Sequence, residues 1–169
     1  TRTPQGIRNL APYSFFNVFC SAPPIVGFSS VGVKDSLTNL RESGHFTCNL
    51  ATEDLREQVH KSSVAAPLEV DEFDLVGLTA LDSVMIDAPR VAESPASLQC
   101  VVTRIVDLAD RTGKAAGAHL VLAEVVGVHI DDGVIANGRV DVTRLKPIAR
   151  LGYGDYAVID EVFELSRPQ

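Results

Sequence analysis

Residues 9–36 read NLAPYSFFNVFCSAPPIVGFSSVGVKDS, and this stretch decides both the fold and the first candidate site. Its pattern predicts two apolar strands, a turn of small residues and the first turn of a helix. The first N–H groups of a helix are unpaired and its dipole is positive at that end, so an anion is favoured there. The candidate ligand is a phosphate group. Glycines, hydroxyls and one ammonium concentrate at this turn, at Gly27, Ser29, Ser30, Gly32, Lys34 and Ser36.

The same stretch resembles the flavin reductase-like family of FMN-binding split barrels, through NLAPYS at residues 9–14 and KDS at residues 34–36. Further segments follow the family pattern in the same order: HFTCNLATEDL, DEFDLVGLT, PRVAESPASLQC, LVLAEVVGVHIDDGV and LGYGDYAVIDEVFEL. The resemblance covers nearly the whole chain. It implies a homodimer that holds FMN, rather than FAD, at or near the subunit interface. It also implies that the family's first strand lies before Thr1, outside this numbering.

Length and composition favour a single domain over residues 1–169. Apolar residues make up 46% of the chain and charged residues 22%, as in ordinary globular proteins. The net charge of −7 comes without any basic block, which argues against nucleic acid and against an anionic membrane surface as partners. No apolar run approaches the ~20 residues of a membrane helix.

The cysteines, Cys20, Cys48 and Cys100, are far apart and form no C-x-x-C pair. Each lies in an apolar stretch, which favours buried free thiols and hence a reducing cytoplasm. A catalytic thiol at Cys20 is the alternative, and we do not favour it because no histidine is adjacent. No His and Cys spacing indicates a metal site.

The pattern predicts a mainly β protein, a split β-barrel with two or three short helices. A strand over residues 7–16 is followed by a strand over 25–29 and by a helix that Asp35 or Ser36 caps and Gly44 ends. We also predict strands at 45–50, 78–85 and 160–165, a long hairpin of 97–108 with 118–130, and helices at 52–61, 71–76 and 141–145.

KDS stands where the family has its phosphate motif, so the resemblance places the FMN phosphate on Ser29, Ser30, Lys34 and Ser36. Composition alone favours an ordinary solvated loop before a helix, and the family resemblance reverses that preference. The NLAPYS strand implies ring contacts at Asn9, Ala11, Pro12 and Ser14. Asn9 and Ser14 lie on opposite faces of an ideal strand, so both would reach the flavin only if Pro12 introduces a bulge. Asn49 and Leu50 follow the family's central strand and imply backbone contacts to the ring, although a plain strand end fits them as well.

Three further residues are weaker candidates. Arg90 would meet an anionic nicotinamide cofactor or pair with Glu93, and we favour the ion pair. His129 would lie near the open face of the flavin. Tyr153 would stack on the ring, although the family often has glycine and asparagine where Tyr153 and Gly154 stand.

The activity that the resemblance implies is hydride transfer from NADH or NADPH to flavin, followed by electron transfer to an acceptor. That acceptor would be free flavin, oxygen, a monooxygenase component or an iron centre. No G-x-G-x-x-G motif follows a strand, so no Rossmann site for the nicotinamide cofactor is predicted, and no side chain is assigned as a catalytic acid or base. The alternatives are a flavoredoxin-like electron carrier without NAD(P)H activity and a non-catalytic dimeric scaffold.

Overall fold

The computed structural model describes residues 1–166 and 168 of the chain. Strands dominate it, with short helices between them, so the predicted mainly β class is confirmed. The strands are β1 (Phe16–Ser21), β2 (Pro24–Val31), β3 (His45–Asn49), β4 (Ala80–Leu81), β5 (Arg90–Val91), β6 (Ala96–Ala109), β7 (Ala115–Ile130), β8 (Ile135–Ala136), β9 (Arg139–Val140), β10 (Ile148–Arg150) and β11 (Tyr156–Val158). The helices are α1 (Asp35–Ser43), α2 (Arg56–Lys61), α3 (Glu72–Val76) and α4 (Val142–Leu145), with 3₁₀ turns at Glu53–Leu55 and Asp132–Val134.

The main sheet has five antiparallel strands in the order β1-β2-β7-β6-β3. The predicted long hairpin is confirmed as β6 and β7, and β7 pairs with β2 on its other side, where Val121 faces Phe28. Register shifts interrupt the β6–β7 ladder at three places, the first between Gln99 and Cys100. Such bulges bend a strand and increase its twist, which curls a sheet toward a barrel.

The core lies between the inner face of this sheet and α1. Leu37 and Leu40 of α1 are fully or almost fully buried against Val26 and Phe28 of β2 and Phe46 of β3. The rings of Phe28 and Phe46 meet edge to face, with centroids 5.4 Å apart. This packing fixes the first turn of α1 beside the end of β2, where the sequence places the candidate phosphate site.

The predicted end of α1 is confirmed and its predicted start is corrected. Gly44 ends the helix in the left-handed region, at φ 70°, as expected for a C-terminal glycine. The N-cap is Lys34, in extended conformation and without a side-chain cap bond, so neither Asp35 nor Ser36 caps the helix. By contrast, Asp71 and Asp141 cap α3 and α4, because each carboxylate accepts two N–H groups of the first turn.

The predicted strand at 7–16 is wrong, since β1 begins only at Phe16. The backbone before it finds partners outside a ladder: Leu10 donates to the Glu72 carboxylate and Asn9 donates to the carbonyl of Thr1. Pro12 has no N–H to give to a neighbouring strand. This segment is therefore irregular chain bonded to the first residue of α3 through Arg8 and Leu10.

The predicted strands at 160–165 and 78–85 are also corrected. The last strand is β11, which pairs with β10, and residues 159–166 form no ladder. Of 78–85, only Ala80–Leu81 is a strand, paired with β5. Val162, Phe163 and Leu165 are apolar, but no neighbouring strand in the described part of this chain pairs with this segment. No helix among the described residues has the length and hydropathy of a membrane span.

Candidate functional site

A cleft of about 320 Å³ lies beside the first turn of α1. Two of its walls are the motifs that the sequence singled out, and the other two are the loop after α2 and α3 itself. The structure therefore brings the NLAPYS and KDS motifs together in one cavity. Its lining residues are Asn9, Ala11, Pro12, Tyr13, Lys34, Asp35, Ser36, Ser62, Ser63, Val64, Ala65, Ala66 and Glu72.

Asn9 and Ser36 join the two motifs directly. Both are nearly buried, with 7% and 4% of their surface exposed. The Asn9 amide donates to Ser36 Oγ at 2.9 Å and to Thr1 Oγ1 at 2.9 Å. Because Ser36 Oγ accepts this bond, its own O–H remains a donor. Ser36 is thus oriented by the NLAPYS segment and keeps a hydrogen for a ligand.

Lys34 and the start of α1 supply the positive charge at this corner of the cleft. Lys34 is exposed and forms no ion pair among the described residues. The helical backbone bonds begin with Thr38, which donates to the Lys34 carbonyl at 3.0 Å. The N–H groups of Asp35, Ser36 and Leu37 precede that bond and have no acceptor within the helix. One ammonium, one hydroxyl and a helix start are the donors that a phosphate group requires.

Glu72 forms the opposite wall, and sequence reasoning gave it no role. It is 7% exposed, and its carboxylate accepts the Leu10 N–H at 2.5 Å. Burial raises the pKa of the Glu72 carboxyl above its usual range. Arg8 holds α3 in place, because its guanidinium pairs with Asp71 and Asp74. The only signal in the sequence was an acidic residue directly after the capping Asp71.

The loop at residues 62–66 is the second part of the cleft that sequence reasoning missed. The sequence pattern predicts no more than a plain loop there. The Ser62 hydroxyl donates to the Val59 carbonyl at 3.1 Å, and the Ser63 hydroxyl donates to the His60 carbonyl at 2.6 Å. These bonds turn the chain back over the cleft, and nothing local in its composition marks it as a wall.

Ser14, Ser29 and Ser30 are not brought to the cleft. Ser30 is fully buried, and its hydroxyl donates to the Gly32 carbonyl at 3.1 Å. Ser29 lies on the other face of β2, with its N–H bonded to the Phe15 carbonyl at 2.9 Å. Ser14 is exposed outside the cleft. Of the NLAPYS residues predicted to contact the ring, Asn9, Ala11 and Pro12 line the cleft.

Asn49 and Leu50 lie at the end of β3, away from the cleft, and their polar groups are already bonded. Asn49 Oδ1 accepts the Val91 N–H at 2.9 Å. The Leu50 N–H donates to the Ala96 carbonyl at 2.9 Å, and its carbonyl accepts the Ser94 hydroxyl at 3.0 Å. These groups tie β3 to the segment that leads into β6.

Arg90, His129 and Tyr153 also lie outside the cleft. The predicted Arg90–Glu93 ion pair is wrong, because these two described residues form none. Both Glu93 oxygens accept the Thr79 N–H, at 2.9 and 3.1 Å. His129 faces Ser97 across the β6–β7 ladder. Tyr153 is 97% exposed, and its carbonyl accepts a bond from Arg150.

Two of the three thiols are protonated by burial. Burial raises the pKa of Cys48 to about 11 and that of Cys100 to about 12, so both stay protonated at neutral pH. Cys20 is half-buried in β1. Within residues 1–166 and 168, no three His, Cys, Asp or Glu side chains cluster as metal ligands would.

A second depression, of about 370 Å³, lies where the 82–88 loop meets Arg2 and His45. Arg2 donates to Asp82 and Asp87, both at 2.7 Å, so the charges of this depression are paired with one another. None of the predicted site residues lines it. The cleft beside α1 is therefore the site where unpaired donors and predicted residues coincide.

Comparison with known proteins identifies the family of this chain. Residues 1–146 match the flavin reductase like domain family, and the chain belongs to that family. It is 33% identical to an uncharacterised protein of Halalkalibacterium halodurans, over 99% of this chain and 82% of that relative. The resemblance seen in the sequence is confirmed.

Two solved structures share the fold. The nitrilotriacetate monooxygenase component B of Bacillus cereus superposes with a TM-score of 0.89 at 32% identity, over 97% of this chain and 83% of that one. The 2-nitrobenzoate 2-nitroreductase of Pseudomonas fluorescens superposes with a TM-score of 0.86 at 27% identity, over 99% and 81%. The predicted split-barrel fold is confirmed.

Proposed function

We propose that this chain is an FMN-binding oxidoreductase that passes electrons from NAD(P)H through bound flavin to an acceptor. The observation that carries the proposal is the cleft in which Lys34, Ser36 and the start of α1 face the NLAPYS segment. Membership of the flavin reductase-like family supports it. The names of two structural neighbours, a monooxygenase component and a nitroreductase, support electron transfer as the reaction class.

The residues of the cleft fit FMN in a defined orientation. The phosphate group would bind to the Lys34 ammonium, the Ser36 hydroxyl and the free N–H groups of α1. The ring would lie along Asn9, Ala11 and Pro12. Both hydrogens of the Asn9 amide are used within the protein, so Asn9 would offer its side-chain oxygen and Ala11 its backbone groups. Ser14, Ser29, Ser30, Asn49 and Leu50 stay predictions as flavin contacts, with less support from their positions.

Bound flavin supplies the redox chemistry, since it accepts a hydride and releases electrons singly or in pairs. The protein's part is to bind the phosphate, orient the ring and leave one side of it open. No side chain of the cleft is assigned as a catalytic acid or base. NADH or NADPH would approach the open side, because the sequence has no Rossmann motif to hold it elsewhere. The acceptor would be free flavin, oxygen, a monooxygenase component or an iron centre.

A homodimer is part of the proposal. Large apolar side chains are exposed on and beside β1 at Phe15, Val18 and Phe19, and again at Phe163 and Leu165. Large exposed apolar side chains that group together mark protein contacts, and the β1 residues are neighbours in one strand region. The three free cysteines support a cytoplasmic location.

The test is the visible absorption spectrum of the purified protein before and after FMN is added, followed by a steady-state NAD(P)H oxidation assay. Flavin bands that stay with the protein through desalting, together with NAD(P)H oxidation, are the expected result. Bound flavin without NAD(P)H oxidation would favour the electron-carrier alternative. A colourless protein that takes up no FMN would favour the scaffold.

A further inference from the structure

Glu72 is an acidic side chain in a cleft whose ligand is anionic. Its carboxylate is almost buried, and it forms no ion pair among the described residues. One oxygen accepts the Leu10 N–H. The other oxygen has no hydrogen-bond partner among the described residues. It is in contact with solvent, because the fully buried side-chain atoms without a partner are Gln58 Oε1 and Ser97 Oγ. The second oxygen is therefore available to a ligand in the cleft.

No fixed cation among the described residues balances a charge on Glu72. Asp35 on α1 and the capping Asp71 of α3 both disfavour its ionised form. The Arg8 guanidinium is held by Asp71 and Asp74. Lys34, on the α1 wall, is the one ammonium among the described residues that line the cleft.

We propose that Glu72 is an ionisable gate: its carboxylic acid form accepts the flavin phosphate ligand, and its carboxylate form excludes it. This inference rests on the proposed FMN site. In the acid form the carbonyl oxygen still accepts the Leu10 N–H, while the O–H donates to an oxygen atom of the ligand. In the carboxylate form that donor is lost, and the negative charge of Glu72 repels the phosphate in addition to the charge of Asp35.

The sign of the pH dependence follows from the direction of the pKa. Burial raises the pKa of Glu72 in the free protein, and a bound anion raises it further. At any pH at which Glu72 is ionised in the free protein, FMN binding is therefore accompanied by protonation of Glu72. FMN affinity is highest below the pKa of Glu72 and falls as the pH rises through it, by up to about tenfold per pH unit.

The experiment measures the Kd of FMN by fluorescence quenching between about pH 5.5 and 8.5, a range that also spans the second ionisation of a phosphate monoester near pH 6. The proteins are the wild type, Glu72→Gln and the control Glu57→Gln, which removes an exposed charge of α2 outside the cleft. The phosphate's own ionisation affects all three equally. We expect Glu72→Gln to keep its low-pH affinity while the wild type and Glu57→Gln lose at least about tenfold.

Parallel profiles for the wild type and Glu72→Gln would overturn the gate and leave the FMN site standing. Absence of FMN binding at every pH would instead overturn the proposed function itself. The side-chain amide in the Glu72→Gln variant can still accept the Leu10 N–H, so the variant is expected to fold.

If the Glu72→Gln variant does not fold, two further measurements test whether Glu72 is the gate. Asp35→Asn is expected to move the loss of affinity to lower pH, because Asp35 raises the pKa of Glu72. Calorimetry of FMN binding to the wild type, in two buffers of different ionisation enthalpy, is expected to show proton uptake. An unmoved profile without proton uptake would overturn the gate.

Discussion

The cleft beside α1 and the end of β3 both carry polar side chains that the sequence placed in one flavin site, yet the two regions use them differently. In the cleft, Ser36 keeps a free O–H, and among the described residues Lys34 has no ion pair and one oxygen of Glu72 has no partner. At the end of β3, the hydrogen-bonding groups are bonded within the protein. Thr47 donates to the Pro89 carbonyl, and Asn49 accepts from Val91.

The difference shows that residue type alone does not distinguish a binding residue from a structural one. Asn9 and Asn49 are the same amino acid, each preceding a leucine and an alanine in the chain. Asn9 orients a hydroxyl that still has a hydrogen to donate, whereas Asn49 fixes the backbone that covers β3. The two asparagines differ in the group they hold, because the Ser36 hydroxyl held by Asn9 keeps a hydrogen to donate, whereas the Val91 N–H held by Asn49 has none to spare. Substitutions in the two regions should therefore affect different measurements.

Of the substitutions considered, Lys34→Ala should give the largest effect, and it should change FMN affinity without changing stability. Loss of one charged hydrogen bond to the phosphate is expected to cost about 1.5–3 kcal/mol of FMN binding, or roughly 10- to 150-fold in Kd. The melting temperature should be unchanged, because the exposed Lys34 side chain has no ion pair among the described residues. Lys61→Ala, at the end of α2 and outside the cleft lining, is the matched control. Unchanged FMN affinity would remove Lys34 from the phosphate site.

Asn49→Ala should show the opposite pattern. Without Asn49 Oδ1 the Val91 N–H loses its acceptor, which is expected to lower the free energy of unfolding by about 1–3 kcal/mol. Urea denaturation measures this loss, and FMN titration of the folded variant should give a Kd within about twofold of the wild type. If affinity fell while stability held, Asn49 would belong to the flavin site after all.

Ser36→Ala tests the residue that serves both purposes. It removes the acceptor of the Asn9 amide and the hydroxyl offered to the phosphate, so we expect about 1 kcal/mol lost from each of stability and FMN binding. A double-mutant cycle with Lys34→Ala should give a coupling energy of at least about 0.5 kcal/mol in binding. Additive effects would show that the two side chains do not share one ligand group.

Much of this arrangement was predictable because its signals are local. The KDS motif marks the first turn of α1, Gly44 marks its end, and the two long Val- and Leu-rich runs mark the β6–β7 hairpin. Each depends on neighbours within a few residues or on a hairpin between consecutive strands. These features fix where an anion-binding corner forms.

The remainder depends on segments that are distant in the chain. Glu72 meets Leu10 across 62 residues, and Asn9 meets Ser36 across 27. Sequence periodicity does not predict such contacts, so nothing in the sequence indicated that Glu72 of α3 and the 62–66 loop line the cleft. The predicted strand at 7–16 failed for the same reason: its backbone bonds go to Glu72 and Thr1 instead of to a ladder. Tertiary packing overrides a strand pattern of this kind.

Arg90→Ala should give the smallest effect and bears on the weakest of the site predictions. Arg90 is half-buried in β5, and its predicted partner Glu93 is bonded to the Thr79 N–H instead. Truncation is therefore expected to change stability by no more than about 0.5 kcal/mol and to leave FMN affinity as it is. Steady-state kinetics give the deciding measurement. A raised KM for NADH or NADPH, with kcat unchanged, would mean that Arg90 binds the anionic nicotinamide cofactor equally well in the ground state and in the transition state. The end of β3 would then contain a cofactor-binding residue beside its structural hydrogen bonds.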